Sequence, residues 1–197
     1  MHDGRIRFAT PADAGQVRGV YAPYVIDTAV TFEYEVPTTS EMGRRIARTL
    51  ESLPWLVYEA GDRVVGYAYA RPFHERAAYA WSVETSIYVD RDCRRSGVGR
   101  TLMRDLEAIL SHMGVLNLNA CIAYARRDDP FLTDDSVRFH ERLGFVLTAH
   151  FHECGYKFGR WYDMVWMERL PAHRPDVPRP LSSVDEARAW YETACRL

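Results

Sequence analysis

The chain has 197 residues, of which 47% are hydrophobic and 26% are charged, a composition typical of one globular domain with a sizeable core. Its formal net charge of -2 leaves no excess of positive charge to neutralise phosphates, which disfavours nucleic-acid binding. No apolar run approaches the roughly 18 to 20 residues of a membrane-spanning helix, and the first ten residues lack a signal-peptide pattern, so we expect no membrane partner.

The N-terminal part of the sequence predicts one strand and two helices. Residues 5–9 have the pattern of a short strand, and Thr10 with a following proline and Asp13 is typical of a helix start. Thr38 and Glu41 form a capping-box pattern that predicts a second helix start. The buried faces of these two helices are predicted to carry Val17, Val20, Tyr21, Tyr24, Met42, Ile46 and Leu50.

The middle of the chain predicts an antiparallel meander of three strands. These strands lie at 54–60, 63–70 and 80–90, with a turn at Gly61 between the first two. Alternation along the third strand places two sets of side chains on opposite faces. One face carries Val83, Thr85, Ile87 and Val89, and the other carries Glu84, Ser86 and Tyr88.

A glycine turn, a helix and further alternating elements complete the predicted domain. Apolar residues from Leu102 to Met113 recur at helical spacing. A strand at 115–123, a short helix at 134–143 ending at Gly144, and strands at 145–153 and 156–168 follow. Four prolines between 171 and 180 predict a stiff connector before a terminal helix from about 183. The order of elements indicates a mixed α/β or α+β fold.

The turn Arg94-Arg95-Ser96-Gly97-Val98-Gly99 lies between a predicted strand and a predicted helix. Its glycines allow several backbone N–H groups to converge at the helix N-terminus, where the helix dipole favours an anion such as a pyrophosphate. Arg94, Arg95 and Arg100 would add positive charge. The alternative is a tight turn with incidental arginines.

Segment 83–103 resembles the acetyl-CoA-binding signature of the GNAT superfamily, with Arg94, Gly97 and Gly99 at the matching positions. The segments at 31–37, 66–84, 136–145 and 155–167 extend the resemblance to the phosphinothricin and methionine sulfoximine acetyltransferase branch. The resemblance implies a twisted mixed sheet of about six to seven strands with splayed central parallel strands and about four flanking helices. It makes residues 1–170 the acetyltransferase domain, with 171–197 as a connector and helix that form no separate domain.

The same resemblance implies acetyl-CoA as co-substrate. The strand that ends at Val89 would supply backbone groups to the pantetheine arm, and the turn would bind the pyrophosphate. The expected cofactor-binding residues are Ile87, Tyr88, Val89, Arg94, Arg95, Ser96, Gly97, Val98, Gly99, Arg100, Thr133, Ser136 and His140. Thr133 stands where the branch usually has Asn, and residues 125–132 form an apparent insertion.

Three residues are candidates for catalysis. Glu84 matches the proposed catalytic glutamate of the family and would take the proton from the attacking ammonium; the alternative is an exposed strand glutamate. His140 could relay a proton or act as an acid toward the CoA thiolate, the alternative being a buried histidine bonded to backbone. Tyr88 shares a strand face with Glu84 and could protonate the thiolate, or simply pack.

The substrate site is expected around the first interhelical loop and the meander. Arginine presents paired donors that match the carboxylate of an amino acid, and Arg76 corresponds to a substrate-side arginine of the family. Solvated loop arginines are the alternative. The expected substrate-binding residues are Phe32, Glu33, Arg71, Phe73, Arg76, Tyr79 and Trp81.

The four cysteines, Cys93, Cys121, Cys154 and Cys195, form no CxxC motif, which favours a reducing cytoplasm over disulfides or zinc. Cys93 adjoins two arginines but has no accompanying His–Asp pair, so we do not assign it as a nucleophile. His150, His152 and Cys154 would share one strand face, yet a single strand splays them too far to bind a metal, and no metal is expected. Lys157, the only lysine, is given no role.

These observations favour an N-acetyltransferase that acts on the primary amine of a small amino-acid-like substrate in a ternary complex. A protein or peptide N-terminal acetyltransferase and a catalytically silent acyl-CoA-binding module remain alternatives. We expect a homodimer, because the segment 159–167 has more large aromatic and apolar side chains than one small sheet buries. The C-terminal segment, with Trp190 and Tyr191, would wrap along its own subunit or a partner, or form a mobile tail.

Overall fold

The computed structural model describes residues 4–171 and 173–194, so Cys195 lies outside the described residues. The strands are β1 (Gly4–Phe8), β2 (Trp55–Ala60), β3 (Arg63–Pro72), β4 (Ser82–Val89), β5 (Asn117–Tyr124), β6 (Val146–Lys157) and β7 (Arg160–Arg169). The helices are α1 (Ala14–Asp27), α2 (Thr39–Leu50), α3 (Val98–Met113), α4 (Asp135–Arg142) and α5 (Val184–Ala194). The predicted order of elements is confirmed throughout these residues.

The local capping signals act as the sequence predicts. The backbone N–H of Thr10 donates to Asp13 Oδ2 at 2.7 Å, which closes a short 3-10 turn ahead of α1. The Thr38 hydroxyl accepts from the backbone N–H of Glu41 at 3.1 Å at the start of α2. Helix α2 therefore begins at the predicted residue, whereas the predicted start at Thr10 opens the 3-10 turn Pro11–Asp13 and α1 itself begins at Ala14.

The seven strands form one mixed sheet in the order β1-β2-β3-β4-β5-β7-β6. Within residues 4–171 and 173–194 the one parallel pair is β4 with β5, and its register runs only from Ser82–Asn117 to Glu84–Asn119. Beyond Glu84 the two strands separate, while β4 stays paired with β3 as far as Val89. The expected splayed pair of central strands is thus confirmed, and it opens a cleft along one edge of β4.

Helices cover both faces of the sheet. Helices α1 and α2 pack on one face against alternate residues of β2 and β3, including Trp55, Val57 and Tyr67. Helices α3 and α5 pack on the other face, against residues such as Leu56 and Ala68. No helix within 4–171 and 173–194 is long and apolar enough to cross a membrane.

The C-terminal helix α5 packs against α3 of its own chain. Val184, Ala187 and Tyr191 are buried there, and the Tyr191 hydroxyl donates to Asp105 at 2.6 Å. Trp190 stacks on the His112 ring with 4.1 Å between ring centroids. The C-terminal segment therefore lies along its own subunit, which is one of the predicted arrangements. The alternative of a mobile tail is wrong for residues 184–194.

Candidate active site

A cavity of about 560 Å³ fills the gap where β4 and β5 separate. Its floor is the unpaired edge of β4 from Thr85 to Val89, and its opposite wall includes Cys121 of β5 and Phe139 of α4. Strand separation leaves the β4 backbone N–H and C=O groups without a strand partner on this side. Such an edge offers regularly spaced donors and acceptors to an extended ligand.

The turn before α3 forms the cationic end of this cavity. Arg95 and Gly97 have left-handed backbone with φ of 60° and 94°, which turns successive N–H groups toward one point at the helix start. Arg94, Arg95 and Arg100 all line the cavity, and none of the three forms an ion pair with another described residue. Uncompensated guanidinium groups beside a helix N-terminus favour a polyanionic ligand.

Ten of the thirteen predicted cofactor residues line this cavity, and three do not. Val98 is 2% exposed and packs in the core beside Gly66, because the left-handed Gly97 turns the chain inward there. The Ser96 hydroxyl donates to the carbonyl of Cys93. The Thr133 hydroxyl accepts from the backbone N–H of Asp135 at 3.4 Å, so it stabilises the start of α4 instead.

Gly97→Val is expected to raise the dissociation constant of CoA by about tenfold, since positive φ strains a side-chain residue by roughly 1–2 kcal/mol and the turn must change shape. The cost is conformational, because a Cβ at Gly97 would meet no atom within 4 Å. Isothermal titration with CoA measures the effect. Gly61→Val is the matched control, since Gly61 also has positive φ and open space around it. Equal CoA affinity in both variants would exclude the turn as the anion site.

A second cavity, of about 1280 Å³, lies beside β4 on the face of the sheet that α1 and α2 cover. Aromatic side chains from β2, β3 and β4 form its base, with Trp55 and Tyr69 stacked at 4.2 Å. We call this the acceptor cavity. Within the described chain, Tyr88 is the residue shared by the linings of both cavities. The two cavities therefore meet at Tyr88 of β4.

Five of the seven predicted substrate residues line the acceptor cavity: Glu33, Arg71, Phe73, Arg76 and Tyr79. Phe32 and Trp81 do not. Phe32 instead packs so closely on Gly155 that a Cβ there would lie 2.2 Å from its ring. Trp81 Nε1 donates to the carbonyl of Arg179 in the connector at 2.7 Å. Both side chains are held by segments that are distant in sequence.

Glu84 is buried at the last paired position of β4 and β5, so the exposed alternative is wrong. Its Oε1 accepts a hydrogen bond from Arg71 at 2.6 Å, and these two residues are also cross-strand partners. Glu84 lies in neither cavity lining, whereas Arg71 lines the acceptor cavity. Among the described residues, the carboxylate is therefore linked to that cavity only through Arg71.

His140 and Tyr88 differ in the protons that they can supply. Burial lowers the pKa of the His140 imidazole, and its Nδ1 lies 2.8 Å from the carbonyl oxygen of Ser136. A carbonyl oxygen only accepts hydrogen bonds, so Nδ1 of the neutral imidazole carries the proton and Nε2 is an acceptor. Because Nε2 has no proton to give, His140 is better suited to binding a ligand than to acting as an acid toward the thiolate. Burial among aromatic rings raises the pKa of Tyr88 well above its ordinary value, so its hydroxyl keeps its proton.

The insertion at 125–132 is tied to β7 and does not form an open loop. Arg126 Nε donates to Asp163 Oδ2 at 2.5 Å, and Arg160 donates to Asp129 at 2.8 Å. Burial raises the pKa of Asp163, but hydrogen bonds from Arg126, the Glu153 amide and His150 together lower it to about 2. The insertion is therefore part of the folded domain.

The expected shared face of His150, His152 and Cys154 is interrupted. Glu153 has φ of 49° in a bulge of β6, and the potential ligand atoms that approach within 4.8 Å belong to His150, His152 and Asp163. Arg126 already binds both oxygens of the Asp163 carboxylate, and its positive charge opposes a metal ion there. At Cys93, burial raises the pKa of the thiol, which disfavours a reactive thiolate.

Sequence reasoning missed several residues of the two cavities. Tyr24 lines the first cavity beside Tyr88, and its hydroxyl donates to the carbonyl of Val89 at 2.5 Å. Arg45 and Arg48 of α2 line the acceptor cavity, although helical spacing marks them only as a polar face. The sequence pattern predicts Tyr24 solely as a core residue. Their places depend on how α1 and α2 cross the sheet.

A family model described as Acetyltransferase (GNAT) domain matches residues 6–166. The chain is 34% identical to phosphinothricin N-acetyltransferase of Streptomyces viridochromogenes over 92% of this chain and 94% of that protein. It is 31% identical to L-methionine sulfoximine/L-methionine sulfone acetyltransferase of Salmonella typhimurium over 87% of this chain and 98% of that protein.

Solved structures of acetyltransferases have the same fold as this chain. A GNAT superfamily phosphinothricin acetyltransferase of Sinorhizobium meliloti in complex with acetyl-CoA superposes with a TM-score of 0.79 at 29% identity, covering 93% of this chain and 99% of that one. A ribosomal-protein-alanine N-acetyltransferase of Brucella melitensis superposes with a TM-score of 0.77, also at 29% identity, covering 85% and 99%.

Proposed function

Since the chain belongs to the GNAT family of acetyltransferases, we propose that it transfers the acetyl group of acetyl-CoA to the primary amine of a small amino-acid-like substrate. The observation that carries this proposal is the meeting of two different cavities at Tyr88. One cavity has three unpaired arginines at a helix start, suited to the phosphates of CoA. The other combines aromatic, arginine and glutamate side chains, suited to a zwitterionic amine.

We propose that acetyl-CoA lies along the open edge of β4 with its pyrophosphate at residues 94–100. The pantetheine arm would bond to backbone groups on the edge of β4 at residues 85–88 that have no strand partner, since the Val89 carbonyl already accepts from Tyr24, and the thioester would lie near Tyr88. Ser136 and His140, which both line the cavity, would contact the same ligand. Ser96, Val98 and Thr133 are left out of this proposed site because they lie outside the cavity lining.

The amine would occupy the acceptor cavity with its carboxylate facing arginine. Arg76 and Arg48 both line this cavity and form no ion pair with another described residue. A free guanidinium binds a carboxylate or phosphinate with two parallel hydrogen bonds. The relatives named for phosphinothricin and methionine sulfoximine support a substrate with an α-amino group and a carboxylate.

Acetyl transfer then needs three proton movements. Glu84 takes a proton from the bound ammonium, directly or through one water, and Arg71 holds the carboxylate in place at 2.6 Å. The free amine attacks the thioester carbonyl and a C–N bond forms. The nitrogen of this adduct then loses its second proton to water, and the C–S bond breaks. Tyr88 donates its proton to the leaving thiolate and regains one from solvent. No covalent acetyl-enzyme is required, which agrees with the raised thiol pKa of Cys93.

The test is release of free CoA thiol with a panel of amines. We expect turnover with phosphinothricin or methionine sulfoximine and with other small amino acids, and little with polyamines. Turnover confined to peptides with a free N-terminus would favour N-terminal acetylation instead, the activity in the name of the Brucella melitensis structure. CoA binding without turnover on any amine would favour the silent module, and failure to bind CoA would overturn the proposal.

We propose a homodimer formed through the β6–β7 hairpin. Strand β6 is the edge of the sheet, and several apolar side chains of this hairpin are exposed: Val146 60%, Leu147 60%, Phe151 50% and Trp161 62%. Covering such an edge prevents uncontrolled strand pairing. The cytoplasm remains the proposed compartment, because Cys93, Cys121 and Cys154 are all unpaired thiols.

Light scattering of the wild-type protein at micromolar concentration is expected to give twice the monomer mass. The double variant Phe151→Asp, Trp161→Asp is expected to be a monomer, because association would bury two charges. Val177→Asp is the control, since Val177 is 82% exposed in the connector. A monomeric wild-type protein would refute the dimer. A dimer that persists in the double variant would place the interface elsewhere.

A further inference from the structure

The single lysine of the chain is buried, although a cation normally stays in water. Lys157, the last residue of β6, is 3% exposed. Its Nζ donates three hydrogen bonds, to the carbonyl oxygens of Val25 and Thr28 at 2.9 Å and of Thr31 at 2.8 Å. An ammonium group has three N–H donors, so all of them are satisfied. Burying a charge is costly unless it is hydrogen-bonded, and these three bonds offset that cost.

The three carbonyls belong to one bend of the chain. Val25 lies in the last turn of α1, where carbonyls lack a helical partner and the helix dipole is negative. Thr28 and Thr31 lie in the segment 28–34, which we call the acceptor loop. One ammonium therefore ends the helix and fixes the direction in which the acceptor loop leaves it.

The two residues before Lys157 hold the same loop. Gly155 lies against the Phe32 ring, so closely that a Cβ there would lie 2.2 Å from it. The Tyr34 hydroxyl donates to the carbonyl of Tyr156. Three consecutive residues of β6 thus hold the acceptor loop by packing, by a neutral hydrogen bond and by an ammonium.

The acceptor loop carries Glu33 into the acceptor cavity. Glu33 lines this cavity and accepts from Arg45 of α2 at 2.7 Å. It lies two residues from Thr31, the last carbonyl bound by Lys157. Movement of the loop would therefore move the carboxylate that faces the amine, while the β4 edge and the arginine turn would stay in place.

We propose that Lys157 is a positioning residue for amine binding: its ammonium holds the acceptor loop so that Glu33 faces the acceptor cavity. This inference rests on the proposed function, because it takes that cavity as the amine site. Lys157 acts through the loop and touches no substrate. Its loss should impair the amine site more than the CoA site, to whose lining the acceptor loop contributes Val30.

The first test is Lys157→Met, which keeps the aliphatic length and removes the three donors. We expect the KM of the amine to rise about tenfold or more while the dissociation constant of CoA stays within about twofold. Tyr191→Phe is the matched control, because it removes a remote buried hydrogen bond between α5 and α3. A purely structural role would lower thermal stability in both variants and leave the KM of the amine unchanged in both.

Amide hydrogen exchange gives a second measurement that does not need activity. The backbone N–H of Ala29 donates to the carbonyl of Phe131 at 2.9 Å, beside the Lys157 contacts. We expect Lys157→Met to speed exchange at Ala29 by about tenfold or more, without change in α3. If the wild-type protein lacks acetyltransferase activity, the proposed function fails. Amide exchange at Ala29 still tests whether the Lys157 ammonium fixes the acceptor loop.

Gly155→Ala covers the case in which Lys157→Met does not fold. Its Cβ would displace Phe32 and shift the same loop with Lys157 intact. We expect the same rise in the KM of the amine and the same unchanged CoA affinity. The proposal would be overturned if Lys157→Met folds and shows a wild-type KM for the amine and wild-type exchange at Ala29. If Lys157→Met does not fold, the same two wild-type results in folded Gly155→Ala would overturn it.

Discussion

Glu84→Gln is expected to lower the turnover number by about 10²-fold or more, while the dissociation constant of CoA stays within about twofold. Glutamine keeps the shape of the side chain and can still accept the hydrogen bond from Arg71, but it cannot take a proton from the ammonium. Steady-state kinetics across pH 6–9 with saturating acetyl-CoA measure the loss. A variant limited by free amine should recover activity as the pH rises.

Glu59→Gln is the matched control for this experiment. Glu59 is also a strand glutamate bound by arginine, with Arg7 at 3.0 Å, but Arg7 lines neither cavity, whereas Arg71, the partner of Glu84, lines the acceptor cavity. Tyr88→Phe separates the acid from the base: because the pKa of Tyr88 is well above its ordinary value, its loss should lower turnover about tenfold without changing the pH profile below about pH 9. Near-normal turnover and pH dependence in Glu84→Gln would assign proton removal to another group or to water.

Removal of residues 171–197 is expected to lower the melting temperature by about 10–20 °C or to prevent folding. Val184 and Tyr191 are each about 95% buried against the α3 face of the core, and each buried apolar side chain of this size contributes about 1.5–3 kcal/mol. The sum is on the order of the whole stability of a domain, and 1 kcal/mol corresponds to about 2–4 °C at this chain length. Thermal unfolding followed by circular dichroism measures the loss.

Two point variants distinguish packing by α5 from a general effect of shortening the chain. Tyr191→Ala should reproduce a large part of the destabilisation, since it removes the buried ring and the bond to Asp105. Glu192→Ala, at the exposed neighbouring position, should leave the melting temperature within about 2 °C of wild type. A shortened chain with wild-type stability would mean that α5 contributes little to the core. If the shortened chain no longer forms a dimer, its folded fraction must be measured before the loss is attributed to the interface.

The elements and the CoA side of the site follow from local rules. Thr38 and Glu41, the glycine turn before α3 and the alternation in β4 each act within a few residues, so a sequence pattern contains the information. The resemblance to acetyltransferases supplies what local rules cannot, namely that the central parallel strands splay apart, and the structure places this opening after Glu84. Nothing in the side-chain pattern of β4 marks that residue as the last paired one.

The amine side is harder to predict because its residues are placed by distant contacts. Phe32 matches the family segment, yet Gly155 holds it away from the acceptor cavity. Trp81 is drawn to Arg179, which lies 98 residues further along the chain. Sequence reasoning gives Lys157 no role, because a single lysine among the basic residues indicates only a composition bias, and its partners lie at least 126 residues away. Such contacts depend on how loops cross the sheet edge.

The burial of Lys157 also affects the chemical resistance of the protein to its own co-substrate. Acetyl thioesters acylate unprotonated lysine amines, and this chain has one lysine, which is enclosed by backbone carbonyls. All of its other basic side chains apart from histidine are arginines, whose guanidinium groups stay protonated and are poor nucleophiles. An acetyltransferase built in this way presents no lysine side chain on its surface, so prolonged exposure to acetyl-CoA should leave its surface charge intact.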